Sequence, residues 1–116
     1  MSGEKIYREP PVYTRSELVE ELNSGVPQRI ADALVSAVRH DDWQWIQDKC
    51  LELLKAPDVK VRWAAATCLG DLAFFLKRPI DHSRVLAALY EAAKDPSISD
   101  PALFSISLIN QCFPPS

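Results

Sequence analysis

The chain has 116 residues, of which 47% are hydrophobic and 25% are charged. This length suits one domain, and the composition is typical of a folded protein rather than a disordered one. The formal net charge of −3 argues against direct nucleic-acid binding, which needs cations to neutralise phosphates. The sequence shows no signal peptide at its N-terminus and no membrane span, so we expect a cytoplasmic protein that does not contact a membrane.

Apolar residues at three- and four-residue intervals predict an all-α domain over 14–113. Residues 1–13 are expected to form an extended N-terminal arm, because Pro10-Pro11 prevents helix formation there. No alternating segment with a hairpin turn predicts a strand. Six helices are expected in chain order: from Thr14 or Ser16 to the break at 23–25, from Pro27 to the break at 40–42, from Trp43 to Lys55, from Val59 to Leu76, from Asp81 to the turn at 95–96, and from Asp100-Pro101 to the tail at Phe113.

Several of these helix starts carry a recognisable cap. Thr14 and Glu17 have the spacing of a capping box. Pro27 suits the first turn of its helix. An aspartate of the 40–42 break and Asp58 are natural N-caps. The last helix is expected to use Asp100 as its cap, followed by a first-turn proline.

The second half of the chain contains an internal repeat. The turn at 55–59 recurs at 94–98, an offset of 39 residues (94 − 55) that also aligns apolar positions of the flanking helices. The first helix pair, 14–39, fits no single offset. Two helices per unit of about 40 residues are typical of HEAT and armadillo repeats.

The stretch 57–72, PDVKVRWAAATCLGDL, resembles the HEAT-repeat pattern of a turn aspartate, Val-Arg, paired alanines and Leu-Gly-x-Leu. The resemblance covers 43–73 well, the last unit moderately and the first unit poorly. It implies a short right-handed α-α superhelix of about three HEAT-like helix pairs, whose second helices line a concave surface. Where Val-Arg is expected, the last unit has Asp100-Pro101, which suits a terminal capping unit.

The resemblance also implies roles for individual residues of the middle unit. Ala65, Ala66 and Gly70 are expected to permit close helix approach, since glycine otherwise destabilises a helix by about 1 kcal/mol relative to alanine. In such repeats Arg62 pairs with an acidic turn residue of a neighbouring unit, and two candidates are present. These candidates are Asp95 and Asp41.

No set of residues in the sequence has the spacing of a catalytic or metal site, so we expect no enzyme activity, no metal and no cofactor. The two histidines, His40 and His82, lie apart beside aspartates, whereas a metal site needs three or four converging ligands. The three cysteines lie within apolar helical patterns and form no CxxC pair, so we interpret them as reduced core thiols.

Aromatic and acidic residues give the candidate binding site. Trp63, Thr67, Gly70 and Phe74 form a second stripe on the fourth helix, which either packs between repeats or presents an aromatic binding surface. Trp43 and Trp45 point about 200° apart on a helix, so at least one is expected to be partly exposed. The candidate partner-binding residues are Trp63, Asp71, Phe74, Asp32, Trp43, Asp41 and Asp42.

In size, fold type and charge the chain resembles the small acidic HEAT-type immunity proteins of bacterial toxin–immunity pairs. The resemblance implies an antitoxin of contact-dependent growth inhibition, a monomer that forms a heterodimer with a basic toxin domain. It would neutralise that toxin, expected to be a nuclease, by occluding its active site. The alternative function is a HEAT-repeat adaptor or regulatory scaffold subunit for another enzyme.

Overall fold

The computed structural model describes residues 13–39 and 42–113, and these ranges contain helices and no strand. The all-α prediction is therefore confirmed for the described residues. Tyr13 packs against the core, and the rest of the predicted arm lies outside the described residues. The helices are α1 (Arg15–Leu22), α2 (Pro27–Ala37), α3 (Trp43–Leu53), α4 (Val59–Phe74), α5 (His82–Ala92) and α6 (Ser99–Cys112).

The features predicted at the starts of the first four helices are present, three as side-chain caps and one as a first-turn proline. Thr14 and Glu17 form a reciprocal capping box, in which each backbone N–H donates to the other side chain. Pro27 occupies the first turn of α2. Asp42 caps α3 by accepting from the backbone N–H of Trp45, and Asp58 caps α4 by accepting from that of Lys60. These bonds satisfy N–H groups that have no partner within the helix.

Three helix ends differ from the prediction. The third helix ends at Leu53, two residues before Lys55. The last helix begins at Ser99 with Ile98 as its N-cap, so Asp100 lies inside the first turn instead of capping it. The reason is that burial of Ile98 sets the start of the helix two residues before Asp100. Asp100 still interacts favourably with the positive end of the helix dipole. The fourth helix ends at Phe74, before Leu76, because Lys77 has the left-handed φ of 56°.

The helices pack as three consecutive pairs, α1 with α2, α3 with α4 and α5 with α6, and α4 also packs against both α2 and α6. The second helices therefore form one row with α4 at its centre, which is the arrangement expected of a HEAT-like superhelix. One core runs through the whole stack. Each helix contributes a side chain that is at most 1% exposed: Leu18, Leu34, Ile46, Leu69, Leu89 and Ile109.

The helices α4 and α6 make the most extensive contact and lie close together at Gly70. A Cβ atom added to Gly70 would lie 2.9 Å from the Cα of Ser105. The Ser105 hydroxyl donates to the carbonyl oxygen of Ala66 at 2.6 Å, and the Cys112 thiol donates to that of Ala73 at 3.4 Å. Both bonds join residues 39 positions apart, which is the offset of the sequence repeat. The expectation that Gly70 permits close helix approach is confirmed.

Arg62 joins the middle unit to the last one. Its Nη1 donates to the carbonyl oxygens of Ala56 at 2.8 Å and Pro57 at 2.9 Å. Its Nη2 lies 3.5 Å from a carboxylate oxygen of Asp95, so the expected pairing with Asp95 is confirmed. Hydrogen bonds from Ser97 and the nearby Arg62 charge lower the pKa of Asp95. The other candidate partner, Asp41, lies outside the described residues.

The last helix is only partly covered. Its sequence is apolar on nearly every side, yet Leu103 and Phe104 are 52% and 62% exposed. The helix packs against α4 and α5, and this exposed side lies away from its buried residues, such as Ser105 and Ile109. The described stack of helices therefore ends with an apolar side chain pair at the surface.

Candidate functional site

A groove of about 530 Å³ runs between α2 and α4 and is the candidate site. Its floor is formed by buried residues such as Leu34 and Cys68, while Val35 and Trp63 on its walls are 66% and 46% exposed. The lining is apolar in the middle and charged at the two ends. The lining residues are Ala31, Leu34, Val35, Val59, Lys60, Trp63, Ala64, Thr67, Cys68 and Asp71.

The regular spacing of α4 sets the direction of this groove. Trp63, Thr67 and Asp71 follow one another at four-residue intervals, so they lie on one side of the helix. Lys60 lies near the start of α4 and Asp71 near its end. With a rise of 1.5 Å per residue, the two charged residues are about 16 Å apart along the helix axis.

Asp71 is a half-buried carboxylate without an ion pair or hydrogen bond among the described residues. Burial raises its pKa above the ordinary value, because the charged form loses hydration. The positive charge of Arg39, at the end of the preceding helix pair, partly offsets that effect. Arg39 acts at a distance and forms no ion pair with Asp71 within 4 Å. This end of the groove therefore presents a negative charge that no side chain in the described ranges neutralises.

The opposite end is tied into a hydrogen-bond chain. The Lys60 ammonium donates to the side-chain oxygen of Gln28 at 2.9 Å, and the Gln28 amide nitrogen donates to Asp32 at 2.8 Å. Asp32 is exposed and does not line the groove. Gln28 connects Asp32 to Lys60, and these hydrogen bonds are its connection to the groove that Trp63 and Asp71 line.

The second stripe predicted on α4 is divided in the structure. Trp63 and Thr67 face the groove, whereas Gly70 is buried against α6. Phe74 lines a separate cavity of about 510 Å³ at the end of α4, together with Lys77 and Arg78. Two neighbouring helices cover α4 on opposite sides, so its exposed strip is narrower than the sequence suggested.

Two further candidate residues, Asp42 and Trp43, lie at the start of α3 and are not among the residues that line the groove. Asp42 caps α3 and pairs with Arg15, whose guanidinium lies 4.0 Å from the centre of the Trp45 ring. Trp43 packs half-buried against the core. Both tryptophans are partly exposed, which agrees with the expectation for the pair. Asp41 lies outside the described residues.

The sequence analysis did not single out Val35 and Val59, although both line the groove and are strongly exposed. A signal for Val35 was present. It lies off the apolar stripe of α2 formed by Ile30, Leu34 and Val38, and a branched apolar side chain on a polar helix face is a candidate contact residue.

The thiols and the described histidine have structural surroundings. All three cysteines are free, and Cys50 and Cys68 are buried. A hydrogen bond with Cys68 and burial raise the pKa of Cys50 well above its usual value, which keeps it protonated. His82 stacks on the ring of Phe113 with 4.6 Å between centroids. Over 13–39 and 42–113, no three His, Cys, Asp or Glu residues are grouped to hold a metal, and no helix is long and apolar enough to span a membrane.

Comparison with known proteins supports the repeat in the sequence and in the three-dimensional structure. The HEAT repeat family matches residues 46–76, the region that the sequence motif identified. A comparison with curated proteins gave no match. Among solved structures, the chain is similar to a chain in the crystal structure of a CDI complex from Cupriavidus taiwanensis LMG 19424, with 26% identity and a TM-score of 0.78. The similarity covers 91% of this chain and 96% of that chain. Residues 46–76 thus match a HEAT repeat, and the described helices have a HEAT-like helical repeat fold.

Proposed function

We propose that this chain is an immunity protein of contact-dependent growth inhibition, which binds a toxin and neutralises it without catalysis. The proposal rests on one observation, the similarity to a chain of a CDI complex over nearly the full length of both chains. A shared fold alone would leave the function open. Here the relative is a chain of a CDI complex, and an immunity protein bound to its toxin forms a complex of this kind.

Of the two roles in such a complex, the immunity role fits this chain better. Its described helices form a repeat stack with an open apolar groove and contain no grouped metal ligands. A fold of this kind supplies a binding surface. Expression of the chain alone in bacteria separates the two roles. We expect normal growth from an immunity protein, and growth arrest would assign the toxin role instead.

We propose that the toxin binds over the groove, with Trp63 as the central apolar anchor. Exposed tryptophans that become buried contribute most to protein–protein affinity. A standard interface covers about 800 Å² per partner, more than one groove provides, so the footprint extends to the rim at Asp32. Phe74, Trp43, Asp42 and Asp41 are candidates for the edges of this footprint.

The proposed partner is a basic nuclease domain, bound in the cytoplasm as a 1:1 heterodimer. Nucleases carry cations that bind phosphates, and the net charge of −3 and the carboxylate of Asp71 give the electrostatic complement. The chain would act by covering the active site of the nuclease, so inhibition would be stoichiometric.

The immunity role predicts that a toxin domain is encoded immediately upstream of this gene, and the test uses that predicted partner. Co-expression with this chain is expected to restore growth, and titration is expected to abolish nuclease activity at one equivalent. Trp63→Ala is expected to weaken binding at least about 30-fold, as for a hot-spot residue. Phe104→Ala is the matched control, since Phe104 is also exposed but lies on α6. Failure of the chain to bind or protect against that toxin would contradict the immunity role and favour an adaptor or scaffold.

A further inference from the structure

We propose that the groove is a directional site for a cationic, apolar segment, with a lysine or arginine side chain beside Asp71 and apolar atoms over Trp63 and Val35. The identification of that segment as part of the toxin rests on the proposed function. The chemistry of the site is argued independently, from the groove itself.

The middle of the groove selects apolar atoms. Trp63, Val35 and Val59 are between 43% and 66% exposed, and they surround a floor that includes Leu34 and Cys68. Exposed apolar side chains that converge on a concavity gain free energy when a partner removes them from water. This part of the site has no preference for charge, so it contributes to affinity but does not set the orientation of the bound segment.

Direction comes from the two ends. Asp71 has lost hydration through burial and has gained no ion pair or hydrogen bond within the described residues, so a cation at this end restores an interaction that the free protein lacks. Lys60 at the other end is positive and donates to Gln28. A segment bound in the reverse direction would leave Asp71 without its cation and place the cation beside Lys60.

Among the described residues, Arg39 is a positive charge that competes for Asp71. It stabilises the carboxylate at a distance and forms no ion pair with it. Because like charges repel, Arg39 weakens the binding of an incoming cation. Replacing Arg39 by glutamine is therefore expected to strengthen cation binding, and an unchanged affinity would show that Arg39 does not compete for the carboxylate.

Three small molecules of similar shape test the chemistry without the toxin: 4-phenylbutylammonium, neutral 4-phenylbutan-1-ol and anionic 5-phenylpentanoate. Titrations of the ¹⁵N-labelled full chain, followed by amide chemical shifts, give the site and the affinity of each. We expect shifts at the groove residues of α2 and α4, and a preference of roughly fivefold for the cation over the alcohol, the size of a half-exposed ion pair. The anion is expected to bind most weakly.

The isosteric variant Asp71→Asn is expected to remove this preference, and Arg39→Gln is expected to increase it. Asp100→Asn, an exposed aspartate of α6, is the matched control and is expected to keep it. Equal binding of the three compounds, or an unchanged preference in Asp71→Asn that is folded by circular dichroism, would overturn the proposal.

A parallel titration with the upstream toxin domain separates this inference from the proposed function. Tight toxin binding that Asp71→Asn leaves unchanged would support the immunity role and refute the directional groove. A cation preference that depends on Asp71, without toxin binding, would support the groove chemistry and refute the immunity role.

Discussion

Replacement of Gly70 by alanine is the sharpest test of how the repeats are packed. Gly70 lies where α4 and α6 come close together, and an added Cβ would meet the Cα and Cβ of Ser105, each at 2.9 Å. One of these is a backbone atom, so a side-chain rotation cannot relieve the contact. The Ser105 hydroxyl also donates to the carbonyl of Ala66, and a shift of α6 would strain that bond.

Three effects determine the size of the change. Alanine favours the helix by about 1 kcal/mol over glycine. Forcing a methyl group into a filled interface costs about 1–3 kcal/mol, and weakening the Ser105 bond costs about 1 kcal/mol. We expect a net loss of about 2 kcal/mol in the free energy of unfolding, which lowers Tm by about 8 °C for a domain of this size.

Urea denaturation and calorimetry of Gly70→Ala measure this loss. Thr67→Ala, one turn earlier on the exposed side of α4, controls for helix propensity and is expected to change stability by less than about 0.5 kcal/mol. Ser105→Gly removes the Cβ contact, so it is expected to cost less in the Gly70→Ala background than in the wild type. A Gly70→Ala protein as stable as the wild type would show that α4 and α6 are not packed this closely.

Three further predictions concern side chains around the core and groove. Arg62→Met is expected to lower the free energy of unfolding, measured by urea denaturation, by about 1–3 kcal/mol, because it leaves two carbonyl oxygens without a donor. Asp95→Asn is expected to lower it by less, and equal losses would contradict the importance of the two carbonyl bonds. Ellman's reagent is expected to label Cys112 first in the native protein, with the buried Cys50 and Cys68 reacting only after denaturation; rapid labelling of all three would refute their burial. Burial raises the folded pKa of Asp71, so its contribution to stability is present at low pH and is lost as pH rises through that value. Asp71→Asn should therefore gain Tm relative to wild type as the pH rises above 3.8, the ordinary pKa of aspartate, and a constant difference would contradict the shift.

Local features of the fold were predictable from sequence because they depend on neighbouring residues. The capping box of Thr14 and Glu17, the aspartate caps and the core positions at an offset of 39 residues all follow from local rules of helix formation. Asp100 is the exception. A buried residue two positions earlier, Ile98, set the start of α6, and burial depends on the tertiary structure.

The candidate site was predictable only in part, since it forms where two helices meet. Helical spacing placed Trp63 and Thr67 together correctly. The same spacing added Gly70 and Phe74, because it contains no information on which sides of α4 are covered by other helices. Val35, from the other wall of the groove, enters the site only through the packing of α2 against α4.

The groove and the core impose opposite requirements on α4. On the side toward α6, small residues such as Ala66 and Gly70 fill the interface, and any added atom is expected to destabilise the fold. On the side toward α2, Trp63 is half exposed and Asp71 lacks a partner among the described residues. Both residues therefore make the free protein less stable than a buried apolar residue and a neutral residue would at these positions. A partner that buries the indole of Trp63 and forms an ion pair with the carboxylate of Asp71 removes both unfavourable contributions to the free energy. Substitutions that stabilise the free protein at these two positions are therefore the ones expected to weaken binding, whereas substitutions at Gly70 are expected to lower stability and leave the affinity of the remaining folded protein unchanged.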